Sequence, residues 1–234
     1  MQVVILAGGL ATRLRPLTEK IPKALIDING DPFIHYQLNY LKKQGISNVV
    51  LCIGFLADQI QGYVGDGKKY GLTISYSLDG KELLGTGGAI KNAINYLDDN
   101  FFVMYGDSFL PVNFREIYQN YINENKNVMM TLLKNNNQWD RSNVIFKNNK
   151  ISLYDKNNLS PMMNYIDYGL SLFSKETFIN MTIRKFDLAD IFNSLSIDGN
   201  LGSFEIFERF YEIGSLAGIS EFKEYVKINN LGGK

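Results

Sequence analysis

The sequence predicts an α/β chain on a doubly wound, mixed and mostly parallel sheet, with a smaller β-rich part in its second half. Three observations predict this. Short apolar runs alternate with helical patterns from residue 3 to residue 105, as a doubly wound sheet requires. Three of those runs stop at glycine, at Gly8, Gly54 and Gly106. Beyond residue 110 the alternation gives way to strand patterns separated by Asn-rich turns.

The elements follow in order. Val3-Val4-Ile5-Leu6 is a short run rich in β-branched residues and reads as a buried strand closed by Gly8-Gly9. Ile34, Leu38 and Leu41 recur at helical spacing over 34–44, and Gly45 stops that helix. Val49 to Ile53 is the second strand. Ala57 to Val64 is a short helix, and Leu72 to Tyr76 alternates as a third strand. Ala89 to Leu97 reads as a helix, and Phe101 to Tyr105 as another buried strand. In the second half, Phe114 to Asn123 is helical. Val128 to Leu133 and Asn143 to Phe146 are strands, the latter pairing with Lys150 to Tyr154 across Asn148-Asn149. Tyr168 to Phe173 is a further strand, Leu188 to Leu195 a helix, Phe210 to Ile213 a strand, and Ile219 to Val226 the last helix.

Composition narrows the function. Basic and acidic residues number 24 each, so the basic excess of a nucleic-acid binder is missing. A small-molecule ligand is expected instead. No run approaches the ~20 apolar residues of a membrane span, and Met1 to Ala7 lacks the basic flank of a signal peptide. The single cysteine, Cys52, has no internal partner and sits in an apolar run as packing. A soluble, cytoplasmic protein that needs neither nucleic acid nor membrane is the expectation.

The segment with most chemistry is Leu6-Ala7-Gly8-Gly9-Leu10-Ala11-Thr12-Arg13-Leu14-Arg15-Pro16-Leu17-Thr18, followed by Pro22-Lys23-Ala24-Leu25. A buried strand feeds a glycine turn at the carboxyl end of the sheet, where open α/β sheets bind ligands. Glycines let backbone N–H groups approach phosphate oxygens. Arg13 can fork onto a phosphate, and Lys23 adds a point charge. On residues alone, a tight turn with solvated cations serves the pattern equally well. Neither G-x-G-x-x-G nor a Walker A loop is present there. Gly62 to Lys69 comes one residue short of a Walker A loop, but no Ser or Thr follows and a strand comes next. His35 lies early in a helix and reads as a surface or packing residue. One cysteine and one histidine leave no zinc site.

The opening resembles that of the sugar-1-phosphate nucleotidylyltransferases, which reads G-G-x-G-T-R-L-x-P-x-T and then P-K-x-L. This chain departs from it at Ala11, where the family has glycine, which puts the approach of the nucleotide to that turn in question. The resemblance continues through Leu84-Gly85-Thr86-Gly87-Gly88-Ala89-Ile90, Tyr105-Gly106-Asp107, Tyr154-Asp155-Lys156, Asp167-Tyr168-Gly169 and Tyr211-Glu212-Ile213-Gly214. It implies a Rossmann-like, GT-A-like fold in one domain over 1–234. Residues 1–110 would be mainly the nucleotide-binding half. Residues 111–234 would be mainly the acceptor-binding half, carrying the second metal ligand.

The resemblance also assigns roles. Arg13 and Lys23 are the catalytic cations. Leu6, Ala7, Gly8, Gly9, Thr12, Gly85, Thr86, Gly87 and Asp107 lie along the nucleotide, with N–H groups of a helix start offered to it. Gly88, Lys156, Asp167 and Gly169 face the acceptor. Asp107 and Glu212 hold Mg²⁺, an ion that takes oxygen ligands. Glu212 stands where the family has aspartate, and Asp167 where the family's N-x-G turn has asparagine; an acceptor-only group there favours donors on the substrate.

The implied reaction moves a nucleoside monophosphate from a nucleoside triphosphate to a sugar 1-phosphate and releases pyrophosphate. Leu84 to Lys91 looks most like enzymes that join GTP to heptose or mannose 1-phosphate. Cytidylyl or uridylyl transfer to another phosphorylated sugar, alcohol or amide is the alternative within the fold. A transferase using a ready-made nucleotide sugar would carry Asp-x-Asp, yet Phe109 follows Asp107 by two. A silent nucleotide-sugar sensor would be expected to lack Arg13, Lys23 or Asp107, and all three are present.

Overall fold

Residues 1–80 and 82–231 are described by the structure, a computed structural model. Strand β1 (Gln2–Leu6) opens the chain. A tight hairpin, β2 (Asp27–Ile28) and β3 (Asp31–Pro32), leads into α1 (Phe33–Lys43). β4 (Asn48–Ile53), α2 (Ala57–Val64), β5 (Thr73–Leu78), α3 (Gly85–Asn92) and β6 (Asn100–Tyr105) continue the alternation. The chain then runs through β7 (Ser108–Phe109), α4 (Phe114–Glu124), β8 (Val128–Lys134), β9 (Val144–Lys147), β10 (Lys150–Tyr154) and β11 (Tyr165–Ser174). It closes with α5 (Glu176–Ile179), α6 (Leu188–Ile197), β12 (Gly202–Ile206), β13 (Tyr211–Glu212) and α7 (Leu216–Ile228).

A nine-stranded mixed sheet carries the order β10-β9-β11-β6-β1-β4-β5, with β8 beside β11 and β12 beside β8. Its parallel nucleus is β6-β1-β4-β5, and β11 joins β6 antiparallel. Alternation along each strand sends side chains to opposite faces. Val3 and Ile5 join one core with Ile34 and Leu38 of α1, Ile60 of α2 and Phe114 of α4. Val4 joins the other core with Ile90 of α3, Phe178 of α5 and Phe192 of α6. Helices therefore cover both faces. Cys52 is buried as a free thiol in the second core, as expected of packing.

A third cluster fixes the end of the chain to its beginning. Phe222 of α7 packs 5.0 Å, ring centre to ring centre, from both Phe33 and Phe109. Leu14, Ile28 and Ile213 complete it. This packing carries β13 back beside the glycine turn that follows β1.

Three expected elements differ in the structure. The helix expected over 89–97 begins four residues earlier, inside the glycine run, and ends in a separate turn at Ile94–Tyr96. Tertiary packing overrides the low helix propensity of glycine there, as the site geometry shows below. The strand expected over 210–213 is only Tyr211–Glu212. The Asp167-Tyr168-Gly169 segment is a bulge within β11, with the pairing to β8 shifting between Asp167 and Ser171, and not a turn. His35 packs edge-on against Tyr36 and Tyr70, in keeping with a packing role.

Candidate active site

The carboxyl ends of β6, β1, β4 and β5 open on one cavity of about 280 Å³. Its floor is the turn after β1. Ala7 donates to the Cys52 carbonyl at 2.8 Å, and Gly106 donates to the Leu6 carbonyl at 2.9 Å, so three strand ends are tied together under it. Gly8 has no space for a side chain, because a Cβ would stand 2.8 Å from Asp79 Oδ2 and 3.3 Å from the Gly54 nitrogen. Gly9 has open space around it. Ala11 adopts the left-handed conformation, φ 49 and ψ 41, and its carbonyl accepts from Thr18 Oγ1 at 2.8 Å. A single turn over Thr12–Leu14 follows, burying Leu14 and leaving Arg13 exposed.

Lys23 lies on a second single turn, Lys23–Leu25, set by the extended Pro22 before it. Its Nζ donates to Asp107 Oδ2 at 2.8 Å. Asp107 follows β6, and its carbonyl accepts from the Ile213 nitrogen at 3.0 Å. β7 pairs antiparallel with β13 so that Glu212 lies opposite Ser108. Two acids from segments about a hundred residues apart thus stand side by side. The Glu212 side chain is exposed at the edge of the site, and its carboxyl is raised to about 7, first by desolvation and then by the charges of Asp107 and Asp140, against the lowering effect of Arg13 and Lys23. The Arg13 guanidinium lies 3.5 Å from where a Cβ on Gly214, two residues after this acid, would stand.

The glycine run at the start of α3 is held by residues 184–187. The Gly87 and Gly88 N–H groups both donate to the Phe186 carbonyl, at 3.0 and 3.1 Å. Asp187 Oδ1 accepts from the Thr86 nitrogen at 3.0 Å and from its hydroxyl at 3.1 Å. These N–H groups are therefore not free for a ligand, which corrects the expectation that this helix start offers them. A Cβ on Gly85 would stand 2.5 Å from the Phe186 carbonyl oxygen, one on Gly87 would meet the Phe186 ring, and one on Gly88 would stand 2.5 Å from the Arg184 carbonyl oxygen. Gly85 and Thr86 line the cavity, with Asp187 beside them. Gly87 and Gly88 are buried behind that wall and do not line it. Close packing explains their lack of side chains.

On the second-half side, Asp167 Oδ1 accepts from the Gly169 nitrogen at 2.9 Å. Gly169 has φ 89, and a Cβ there would approach the Tyr105 ring at 3.4 Å. Desolvation raises the Asp167 carboxyl to about 6, while the Gly169 N–H and the charge of Lys156 act the other way. Lys156 is exposed beside this bulge. Lys156, Asp167 and Gly169 do not line the cavity, and the bulge meets it through Tyr105, which does.

Two residues of the cavity were not singled out from the sequence. Asp79 follows β5 directly. Its Oδ1 is buried with no hydrogen-bond partner among the described residues, and desolvation raises its carboxyl above the usual range. An acid at a strand's carboxyl end is the signal that had pointed to Asp107, and it applies to Asp79 equally. Asp187 was legible only as the cap of α6, where it forms a capping box with Asp190.

Residues 2–194 match the family model described as nucleotidyl transferase. The D-glycero-alpha-D-manno-heptose 1-phosphate guanylyltransferase of Campylobacter jejuni is 32% identical over 212 residues, covering 91% of this chain and 87% of that protein. Among solved structures, HddC from Yersinia pseudotuberculosis complexed with GMP-PN superposes with a TM-score of 0.78 at 26% identity, covering 96% of this chain and 98% of that one. A putative glucose-1-phosphate thymidylyltransferase from Bacillus anthracis superposes with a TM-score of 0.86 at 20% identity, covering 100% and 98%, which shows the shared fold.

Proposed function

The chain belongs to the nucleotidyl transferase family, and from that premise we propose that it joins a nucleoside monophosphate, taken from GTP by preference, to a sugar 1-phosphate of the heptose or mannose kind, releasing pyrophosphate. The observation that carries this reading is the convergence of the Gly8-Gly9 turn, Lys23 and Asp107 on one cavity at the carboxyl ends of parallel strands, with Glu212 brought next to Asp107 by the pairing of β7 with β13.

The acceptor's phosphate is already nucleophilic, so no general base is required. One of its oxygens forms a bond to the α-phosphorus as the bond from that phosphorus to the pyrophosphate oxygen breaks. The protein supplies position and charge. Gly8 and Gly9, with Leu6, Ala7 and Thr12 around them, let the phosphates lie against the backbone. Lys23 exchanges the Asp107 carboxylate for phosphate oxygens when the nucleotide arrives. Arg13 meets the charge that develops on the transferring and leaving groups. Lys156 holds the acceptor's phosphate, with Asp167 and Gly169 against its sugar. Gly85 and Thr86 border the nucleoside, while Gly87 and Gly88 act indirectly by letting α3 approach residues 184–187.

Asp107 and Glu212 fit Mg²⁺. Both offer carboxylate oxygens, the donors a hard cation prefers, and two carboxylates with phosphate oxygens are a usual set. The charges of Asp107 and Asp140 beside Glu212 disfavour a further negative charge there, which a cation relieves. No cluster of three or more potential ligands occurs among the described residues, so phosphate oxygens would complete the shell. Held by Asp107 and Glu212, Mg²⁺ would supply positive charge that screens the repulsion between the reacting phosphates.

Asp79 supports the choice of base. β5 lies three strand spacings from β6, about 14 Å at the usual ~4.8 Å per strand, enough for a nucleoside laid across the crevice from Asp107 to Asp79. A carboxylate accepts only. Guanine offers two adjacent donors, N1–H and N2–H. Adenine and cytosine each place one amine beside a lone pair, and uracil flanks its N–H with two carbonyl oxygens. Asp79→Asn is expected to cost GTP about tenfold to a hundredfold in kcat/KM, the worth of a bidentate base contact, and to narrow its lead over UTP and CTP. An unchanged ranking of the four triphosphates would contradict this assignment.

Within this reading, residues 1–110 mainly bind the nucleotide. Residues 111–234 mainly bind the acceptor and bring Glu212, in one domain. The reaction is cytoplasmic, which accords with the free thiol of Cys52 and with the lack, among the described residues, of a helix long and apolar enough to cross a membrane.

A further inference from the structure

Between β8 and β9 the chain makes a loop over 135–143 that holds the only tryptophan of the sequence. The loop is built on its own polar groups. Asn135 Oδ1 accepts from the Trp139 nitrogen at 3.1 Å, and Asn135 Nδ2 donates to the Asp140 carbonyl at 2.6 Å. The Asn137 nitrogen donates to Ser142 Oγ at 3.1 Å, and the Ser142 nitrogen donates back to Asn137 Oδ1 at 2.8 Å.

Its two ends meet the two parts of the acceptor side. At the base, Asn143 Oδ1 accepts from the Asp167 nitrogen at 3.0 Å, and the Asn143 carbonyl accepts from the Asp155 nitrogen at 3.0 Å, next to Lys156. At the tip, Asp140 is one of the charges acting on Glu212. What holds the tip is Arg209. Its guanidinium carbon lies 3.8 Å from the centre of the Trp139 ring and 4.5 Å from that of Tyr211. Its Nη2 donates to Glu221 Oε2 at 2.6 Å. Tyr211 is itself fixed to α7, its ring 4.2 Å from that of Tyr225. A planar guanidinium can take two ring faces and a carboxylate at once, and an ammonium cannot.

We infer that Arg209 is a positioning residue that clamps the 135–143 loop, through the Trp139 and Tyr211 rings, as the wall of the acceptor subsite. This rests on the transfer reaction proposed above. Trp139, Arg209 and Glu221 lie in the second half of the chain, Tyr211 pairs across to Phe109 of β7, and among the described residues none of the clamp's side-chain contacts reaches the Gly8 turn, Asp79 or the start of α3. The clamp therefore sets the affinity for the acceptor and leaves that for the nucleotide alone.

The test measures steady-state pyrophosphate release by the full chain with GTP and mannose 1-phosphate. Arg209→Ala and Trp139→Ala are expected to raise KM for the sugar phosphate about tenfold with KM for GTP within about twofold, and Trp139→Phe is expected to restore most of the loss. Equal rises in both KM values, no rise in either, or a Phe variant as poor as the Ala variant would overturn the inference. Failure of the wild-type protein itself to release pyrophosphate speaks against the reaction and not the clamp. The clamp is read separately by Trp139 emission, which mannose 1-phosphate should perturb at about tenfold lower concentration in wild type than in Arg209→Ala. Emission that ignores the sugar phosphate, or that answers it equally in both proteins, would overturn the inference.

Discussion

Lys23 Nζ stands 2.8 Å from Asp107 Oδ2, joining a cation and an acid 84 positions apart at the mouth of the crevice. Both side chains are mostly shielded from solvent, 17% and 28% exposed. Each group answers the other's charge; under the proposed reaction both are released together when phosphates arrive. Lys23→Ala is expected to fold and to lose about 10²–10³-fold in pyrophosphate release, the range for removing one preorganised charge. Arg13→Ala should lose a similar factor. Either variant retaining wild-type pyrophosphorolysis would remove that residue from the mechanism.

Ala11 places a methyl group in the left-handed region. An L-residue there costs about 1–2 kcal/mol, and glycine gives back part of the relief through its freer unfolded chain. Ala11→Gly is expected to gain about 0.5–1 kcal/mol, or about 1–4 °C in Tm for a chain of this size. Thermal unfolding checks the sign, and a lower Tm would show that the methyl group makes a contact worth more than the strain.

Asp167 gives a pH dependence. Its carboxyl titrates near 6 in the fold, above its ordinary 3.8, because burial disfavours the charge. The proton therefore binds the folded state more tightly than the unfolded one. Stability falls as pH rises from about 4 through 6 and is level above that. Asp167→Asn keeps an acceptor for the Gly169 N–H and removes the penalty. It should be the more stable protein at pH 7.5, by on the order of 1–2 kcal/mol, and the gap should close towards pH 4. Unfolding curves at the two pH values decide it, and a gap that widens in acid contradicts the assignment.

Two glycines of the site separate packing from contact. Gly9 has open space where a Cβ would go, whereas Gly88 would press one against the Arg184 carbonyl oxygen. Gly9→Ala should keep the wild-type Tm and weaken nucleotide binding. Gly88→Ala should lose about 1–3 kcal/mol of stability through overpacking. Calorimetry of nucleotide binding beside thermal unfolding tests both, and the reverse pattern would place Gly88 against a ligand.

Much of this fold could be read from local pattern. β1, β4 and β6 are continuous apolar runs because both faces of the parallel nucleus are covered, and α2 has the bounds its pattern predicts. The turn between β9 and β10 follows from Asn148-Asn149, both with positive φ. The hairpin β2–β3 went unread, although Asn29-Gly30 with φ of 56 and 101 is the ordinary sequence of such a turn. β12 alternates weakly and is an added edge beside β8, so only pairing defines it. Of the site, the turn after β1, Lys23, Asp107 and Glu212 could be read because each lies in a contiguous motif. The hold of Phe186 and Asp187 on the start of α3, and that of Arg209 on Trp139, could not. Each joins residues some 70 to 100 positions apart through contacts that no local spacing encodes.

The most direct test of the transfer reaction is pyrophosphate release by the wild-type chain with Mg²⁺, using each of the four nucleoside triphosphates against heptose, mannose, glucose and N-acetylglucosamine 1-phosphates. The account predicts release with GTP and a heptose or mannose 1-phosphate well above every other pair. Silence across the panel, with no binding of any triphosphate by calorimetry, would contradict it and leave a nucleotidyl transferase fold without the reaction.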